Sequence, residues 1–130
     1  MTSTSALPAA VPVEPVIPEE CFVAARAADA KSGEDTAILG MGELLGLTDA
    51  FVITSGANTR QVKTIVDEVE RRLKEAGGLA PVRVEGLDDA RWVLMDYGDF
   101  LVHVFLDEAR GFYDLEHLWS DAPRVPWKVA

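Results

Sequence analysis

Two acidic side chains three positions apart, Asp96 and Asp99, flank the turn in the stretch RWVLMDYGDFLVHVF, which runs from Arg91 to Phe105. Carboxylates brought together in this way can hold Mg²⁺, and such an ion serves phosphoryl or nucleotidyl transfer. A second stretch, TSGANTRQ, leads from an apolar run through a glycine turn into a helical pattern. Backbone N–H groups at such a junction can cradle a phosphate. Together these features outline a Mg-dependent nucleotide-binding or nucleotidyl-transfer enzyme. Two observations weigh against it. SGANT is not a Walker loop and has no lysine to meet the phosphates. Aspartates beside a glycine turn also commonly bond their own backbone.

The remaining reactive side chains are sparse. His103 lies mid-strand between Val102 and Val104, and a histidine acting as general base needs an orienting partner. Asp99 shares its face but lies about 13 Å away, at ~3.3 Å per residue along an extended strand. His103 is therefore expected to be a packed or partner-facing ring. Two histidines and one distant cysteine lack zinc spacing. Cys21 has no basic neighbour in sequence and is expected to be a small buried residue. No catalytic residue, metal ligand or cofactor is expected.

The elements that would carry these residues can be read along the chain. Residues 1–18, rich in Pro, Ala, Ser and Val, predict a disordered or polyproline-like arm. Pro18, Glu19 and Glu20 open a helix that runs towards Gly33. TAILGM and AFVITSG read as buried strands, with GELLGLTD a turn between them. Val62, Ile65, Val66, Val69 and Leu73 form one stripe of a helix that Asn58 or Thr59 caps and Gly77-Gly78 ends. PVRVEG, RWVLMDY and FLVHVFL are strands, with a tight turn at Gly98. DEARGFYDLEHLW is a short helical segment, and residues 120–130 form a proline-broken, flexible tail. The expected fold class is α/β, a mixed five-stranded sheet flanked by helices. One domain, residues 19–119, lies between arm and tail.

Alternation places Trp92, Leu94 and Asp96 on one face and Val93, Met95 and Tyr97 on the other. Phe100, Val102 and Val104 likewise oppose Leu101, His103 and Phe105. Both faces are apolar, which a strand pair covered on both sides would explain. Two good helices and one short segment leave the second face thinly covered, and an open aromatic patch marks a protein-binding site.

The 130 residues carry a formal net charge of −10. Ten acidic residues stand between Val84 and Asp121, against Arg91 and Arg110 alone. Such a chain is repelled by nucleic acid and acidic membranes and suits a basic protein partner. No apolar run approaches the roughly 20 residues that span a bilayer. The N-terminus lacks the charged region of a signal peptide, and a single cysteine excludes an internal disulfide. A cytoplasmic location is the default.

The motifs TDAFVITSGANTRQVKTIVDEVE, VEG, RWVLMDYGDFLVHVF and FYDLEHLW, in that order and spacing, resemble the ribosomal silencing factor family, also called RsfS or Iojap. The resemblance covers roughly residues 20–119. It departs at Ala50, where a larger residue is common, and at Leu106, where a polar one often follows the strand. It implies a nucleotidyltransferase-like fold without catalytic residues. It further implies binding to large-subunit ribosomal protein L-fourteen, a steric block to joining of the small subunit, and repression of translation under nutrient limitation. Homodimers are expected. By motif position the resemblance assigns partner binding to Trp92, Tyr97, Gly98, Asp99 and Phe105, with Asp88, Asp89 and Asp99 suited to steering a basic partner.

Overall fold

Parallel neighbours in a sheet require a crossover, and here one organises the chain. The computed structural model describes residues 16–128. Its elements are α1 (Glu19–Ala30), β1 (Glu34–Gly40), α2 (Gly42–Leu45), β2 (Ala50–Gly56), α3 (Thr59–Gly77), β3 (Arg83–Glu85), β4 (Trp92–Asp96), β5 (Phe100–Leu106), α4 (Asp107–Tyr113), α5 (Leu115–Leu118) and β6 (Arg124–Val125). They build one mixed sheet in the order β3-β4-β5-β2-β1-β6. Strands β2 and β5 run parallel, and α3 with the β3–β4 pair forms the crossover between them. The other neighbours are antiparallel. The expected arm lies outside the described residues except for its last three positions, 16–18.

The sheet has six strands, not five. The extra one, β6, lies in the segment expected to be a loose tail and pairs Val125 with Ile38 and Arg124 with Leu39. Its flanking prolines are tolerated because β6 is an edge strand, where a missing N–H costs no ladder bond. The Pro123 carbonyl accepts from Gly40 N–H at 2.8 Å, and Trp127 Nε1 donates to the Thr36 carbonyl at 2.9 Å. Two smaller expectations also change. The turn GELLGLTD contains the one-turn helix α2. The last helical segment breaks in two at Asp114, which adopts a left-handed φ of +49°.

One face of the sheet is fully covered. Helix α1 brings Cys21, Ala24, Ala25, Ala27 and Ala28 against it, small side chains that let the helix approach closely. Helix α3 brings the predicted stripe of Val62, Ile65, Val66, Val69 and Leu73. Beneath them lie Ile38, Val52, Val93, Met95, Val102 and Val104. Burial pushes the Cys21 thiol up to about 12, so it stays protonated and unreactive. The opposite face has a smaller core of Leu39, Met41, Phe51, Ile53, Phe105, Ala109 and Ala122, roofed only by the short helices α4 and α5 and the segment that follows.

Candidate functional site

The thinly roofed face is laid out by strand register. Trp92 on β4 stands opposite Phe105 on β5, and Leu94 stands opposite His103. His103 in turn lies beside Ile53 on β2, and Leu101 beside Phe51. Period-two alternation therefore brings Trp92, Leu94, Leu101, His103, Phe105 and Phe51 onto one surface.

These rings form a continuous aromatic cluster. The Trp92 indole stacks on Phe105 at 5.0 Å and meets Tyr113 of α4 at 4.6 Å. Phe51 presents its edge to His103 at 4.6 Å and to Trp119 at 6.4 Å. The Trp92 Nε1–H donates a 3.0 Å hydrogen bond to His103 Nδ1. Burial lowers the His103 pKa to about 4, so the ring is neutral near pH 7. The roof leaves the outer part of the cluster wet. Tyr113 is 47% exposed and Trp92 half-buried, and Phe112, edge-on to Tyr113 at 5.1 Å, is 80% exposed. The same roof carries exposed Asp107, Glu108 and Asp114.

Arg110 fixes the roof to the sheet. Its guanidinium donates to Glu116 Oε1 and Oε2 at 3.0 and 2.9 Å, to the carbonyls of Glu34 and Asp35 at 3.0 and 2.6 Å, and to Ser55 Oγ at 3.1 Å. Arg124 adds a 2.8 Å bond to Glu116. Arg110 above all, with Arg124, holds the Glu116 carboxyl below the usual carboxylate range. One side chain thus ties α4 and α5 to β1 and β2.

The structure divides the predicted site residues. Trp92 and Phe105 come together, with the fully buried Phe105 forming the floor under Trp92. Tyr97 lies on the other face. It is 8% exposed, stacks on Phe100 at 5.0 Å and belongs to the core beneath α1 and α3. A five-residue separation along extended chain reverses the facing of a side chain, so Trp92 and Tyr97 do not form one open patch. Burial raises the Tyr97 hydroxyl to about 12. Gly98 and Asp99 are exposed at the far end of β4, in a turn closed by the 3.0 Å bond from Tyr97 N–H to the Phe100 carbonyl.

Asp96 and part of the glycine-turn junction, both considered for phosphate chemistry, make bonds within the chain. Asp96 accepts from Gly98 N–H at 2.8 Å and pairs with Arg83 at 3.3 Å. At the start of α3, Asn58 accepts from Gln61 N–H at 2.8 Å, and Gln61 Oε1 accepts from Ala57 N–H at 2.7 Å. Two of the backbone donors at this junction, the N–H groups of Ala57 and Gln61, are thus bonded within the chain. Among the described residues no group of three or more His, Cys, Asp and Glu side chains could hold a metal ion. Sequence reasoning did not single out Arg110, Glu116, Phe112 or Tyr113. The motif FYDLE contained the aromatic signal, but only the break at Asp114 shows which rings face outward.

Comparison with known proteins settles the family. A family model described as "Ribosomal silencing factor during starvation" matches residues 15–129. The chain belongs to the ribosomal silencing factor family. The match extends past the motif-bearing core and takes in β6. The chain is 43% identical over 101 residues to "Ribosomal silencing factor RsfS" of Bacillus subtilis, spanning 78% of this chain and 85% of that one. It is 30% identical over 92 residues to "Mitochondrial assembly of ribosomal large subunit protein 1" of Mus musculus, spanning 69% of this chain and 40% of that one. A crystal structure of a Chromobacterium violaceum protein superposes with a TM-score of 0.75 at 35% identity, covering 86% of this chain and 92% of the other. A relative from Halalkalibacterium halodurans, 41% identical over 103 residues, is likewise named "Ribosomal silencing factor RsfS".

Proposed function

We propose that this ribosomal silencing factor acts as a steric inhibitor of translation. It binds large-subunit ribosomal protein L-fourteen, blocks joining of the small subunit and represses translation under nutrient limitation. The observation that carries the reading is the half-roofed aromatic face, where Trp92 is buttressed from below by Phe105 and flanked by solvent-exposed Phe112 and Tyr113. A rigid, partly desolvated tryptophan surrounded by further aromatics is the commonest kind of interface anchor. The net charge of −10 favours a basic partner over bare ribosomal RNA.

A binding role also accounts for the way the predicted residues divide. Trp92 contacts the partner, and Phe105 sets its height. Tyr97 acts from the opposite face by bracing the turn that presents Gly98 and Asp99 at the rim. Exposed Asp88 and Asp89, together with Asp99, steer the approach. The sheet is read as a nucleotidyltransferase-like scaffold turned to binding, acting in the cytoplasm and pairing as a homodimer. A standard interface of roughly 1,200–2,000 Å² is enough to obstruct a subunit-joining surface.

Replacement of Trp92 tests the reading when affinity and folding are measured together. Trp92→Ala is expected to weaken binding to purified L-fourteen by roughly 2–4 kcal/mol, the range for a central anchor. Tyr113→Ala, which removes a ring already 47% exposed, should weaken binding without lowering the melting temperature appreciably. Undiminished binding by both folded variants would refute the reading.

A further inference from the structure

The Trp92–His103 hydrogen bond carries an inference about how the aromatic face recognises its partner. A tryptophan at a protein interface has two means of recognition, an apolar ring and one N–H donor. In this molecule the donor is already used internally. Trp92 Nε1–H points to His103 Nδ1 at 3.0 Å, and His103 is itself only 4% exposed.

The bond also fixes the histidine tautomer. An Nδ1 that accepts must be unprotonated, so the proton of the neutral ring is on Nε2. That Nε2 is buried and has no hydrogen-bond partner among the described residues. Phe51, Phe105 and Trp92 surround the ring with centroids 4.6, 6.2 and 5.9 Å away. No charged side chain among the described residues bonds to it, and its depressed pKa arises from burial alone. An apolar side chain would fill such a place without leaving a donor unpaired. What a histidine adds here is an acceptor for the indole.

We propose that His103 is a positioning residue that locks the Trp92 indole in its binding orientation. The polar edge of the indole turns inward, and the partner meets an apolar ring. The partner chemistry this selects is an aliphatic or guanidinium-bearing side chain lying flat on the ring, rather than a hydrogen-bond acceptor. The stack on Phe105 and the contact with Tyr113 hold the remaining edges, so the bond to His103 determines which way the ring faces. This inference rests on the face being the partner surface, as proposed above, but its structural half is measurable without any partner.

The test begins with the unmodified protein, labelled with ¹⁵N. The expected spectrum shows His103 with protonated Nε2 and unprotonated Nδ1, and a Trp92 indole N–H slow to exchange with solvent. Trp92→Phe assigns that signal against Trp119 and Trp127. A His103 protonated on Nδ1, or a freely exchanging indole, overturns the inference whatever the binding result. Next come His103→Phe, which removes the acceptor, and His103→Gln, whose amide oxygen can accept. His103→Phe should speed indole exchange and weaken large-subunit binding about tenfold, the loss expected for one hydrogen bond's worth of orientation. His103→Gln should recover most of both. If His103→Phe frees the indole yet binds as tightly as the parent, Trp92 orientation does not matter and the inference fails. If the parent protein ignores large subunits while the tautomer and indole signals are as expected, the partner assignment fails and the internal lock stands.

Discussion

Two glycines with the same backbone conformation should respond very differently to the same substitution. Gly86 and Gly98 both have φ of +86°. An alanine at either position incurs the left-handed penalty of about 1–2 kcal/mol. A Cβ at Gly98 would have nothing within 4 Å among the described residues, so Gly98→Ala should cost only that. A Cβ at Gly86 would collide with the Trp92 carbonyl oxygen, a backbone atom that cannot swing away. Relief requires moving the start of β4, and overpacking of this kind adds about 1–3 kcal/mol. Gly86→Ala should therefore lose about 2–5 kcal/mol in all. At roughly 3–6 °C per kcal/mol for a domain of this size, that is about 6–30 °C in melting temperature, against about 3–12 °C for Gly98→Ala. Circular-dichroism melts of the two variants and the parent protein measure the difference. Because the displaced atom belongs to Trp92, Gly86→Ala should also weaken partner binding below its own melting point. Equal destabilisation by the two variants would refute the close-approach argument.

Further outcomes follow from the same geometry. Arg110→Met should cost about 3 kcal/mol, because it leaves partly buried Glu116 with only Arg124 and strips donors from two carbonyls; urea unfolding measures it. Glu116 has a lowered pKa, so the pair's contribution is complete above the ordinary carboxylate value of 4.5 and is lost as pH falls through the depressed value. That part of the acid limb should be missing in Arg110→Met. His103 is lowered from 6.5 to about 4, so the unfolded chain takes up its proton first as pH falls. The stability tied to it is full above pH 6.5 and declines by about 3 kcal/mol on acidification to pH 4; His103→Phe should flatten that slope. Cys21, fully buried and held protonated, should resist thiol reagents in the native protein and react at the rate of unfolding.

Much of the fold was legible because periodicity records burial. The stripe from Val62 to Leu73 predicted α3 within a residue, and its cap at Asn58 is bonded as its residue type suggests. Strands β2, β4 and β5 fell where apolar runs met turn residues. Strand β6 was hidden because two residues between prolines carry no periodic signal, and its order comes from β1, some 86 residues earlier in the chain. The site was legible in part for the same reason. Alternation put His103 and Phe105 on one face of β5, which the register shows to be the face of Trp92, and the same alternation opposes Trp92 to Tyr97. Grouping those two rings followed motif spacing and ignored the pleat. The role of Arg110 could not be read locally, since its carbonyl partners lie 75 and 76 positions away. The wetness of Phe112 and Tyr113 depends on a helix break at Asp114, a residue tolerated in the left-handed region but not confined to it.

The central claim is that the half-roofed aromatic face binds the large ribosomal subunit and thereby keeps the small one away. Sedimentation of purified large subunits with the protein, followed by addition of small subunits, measures this directly. The protein should travel with the large subunit and reduce formation of joined ribosomes in proportion to its occupancy, and Tyr113→Ala, though folded, should do both more weakly. Large subunits that pellet without the protein, or that join small subunits normally while saturated with it, would contradict the account.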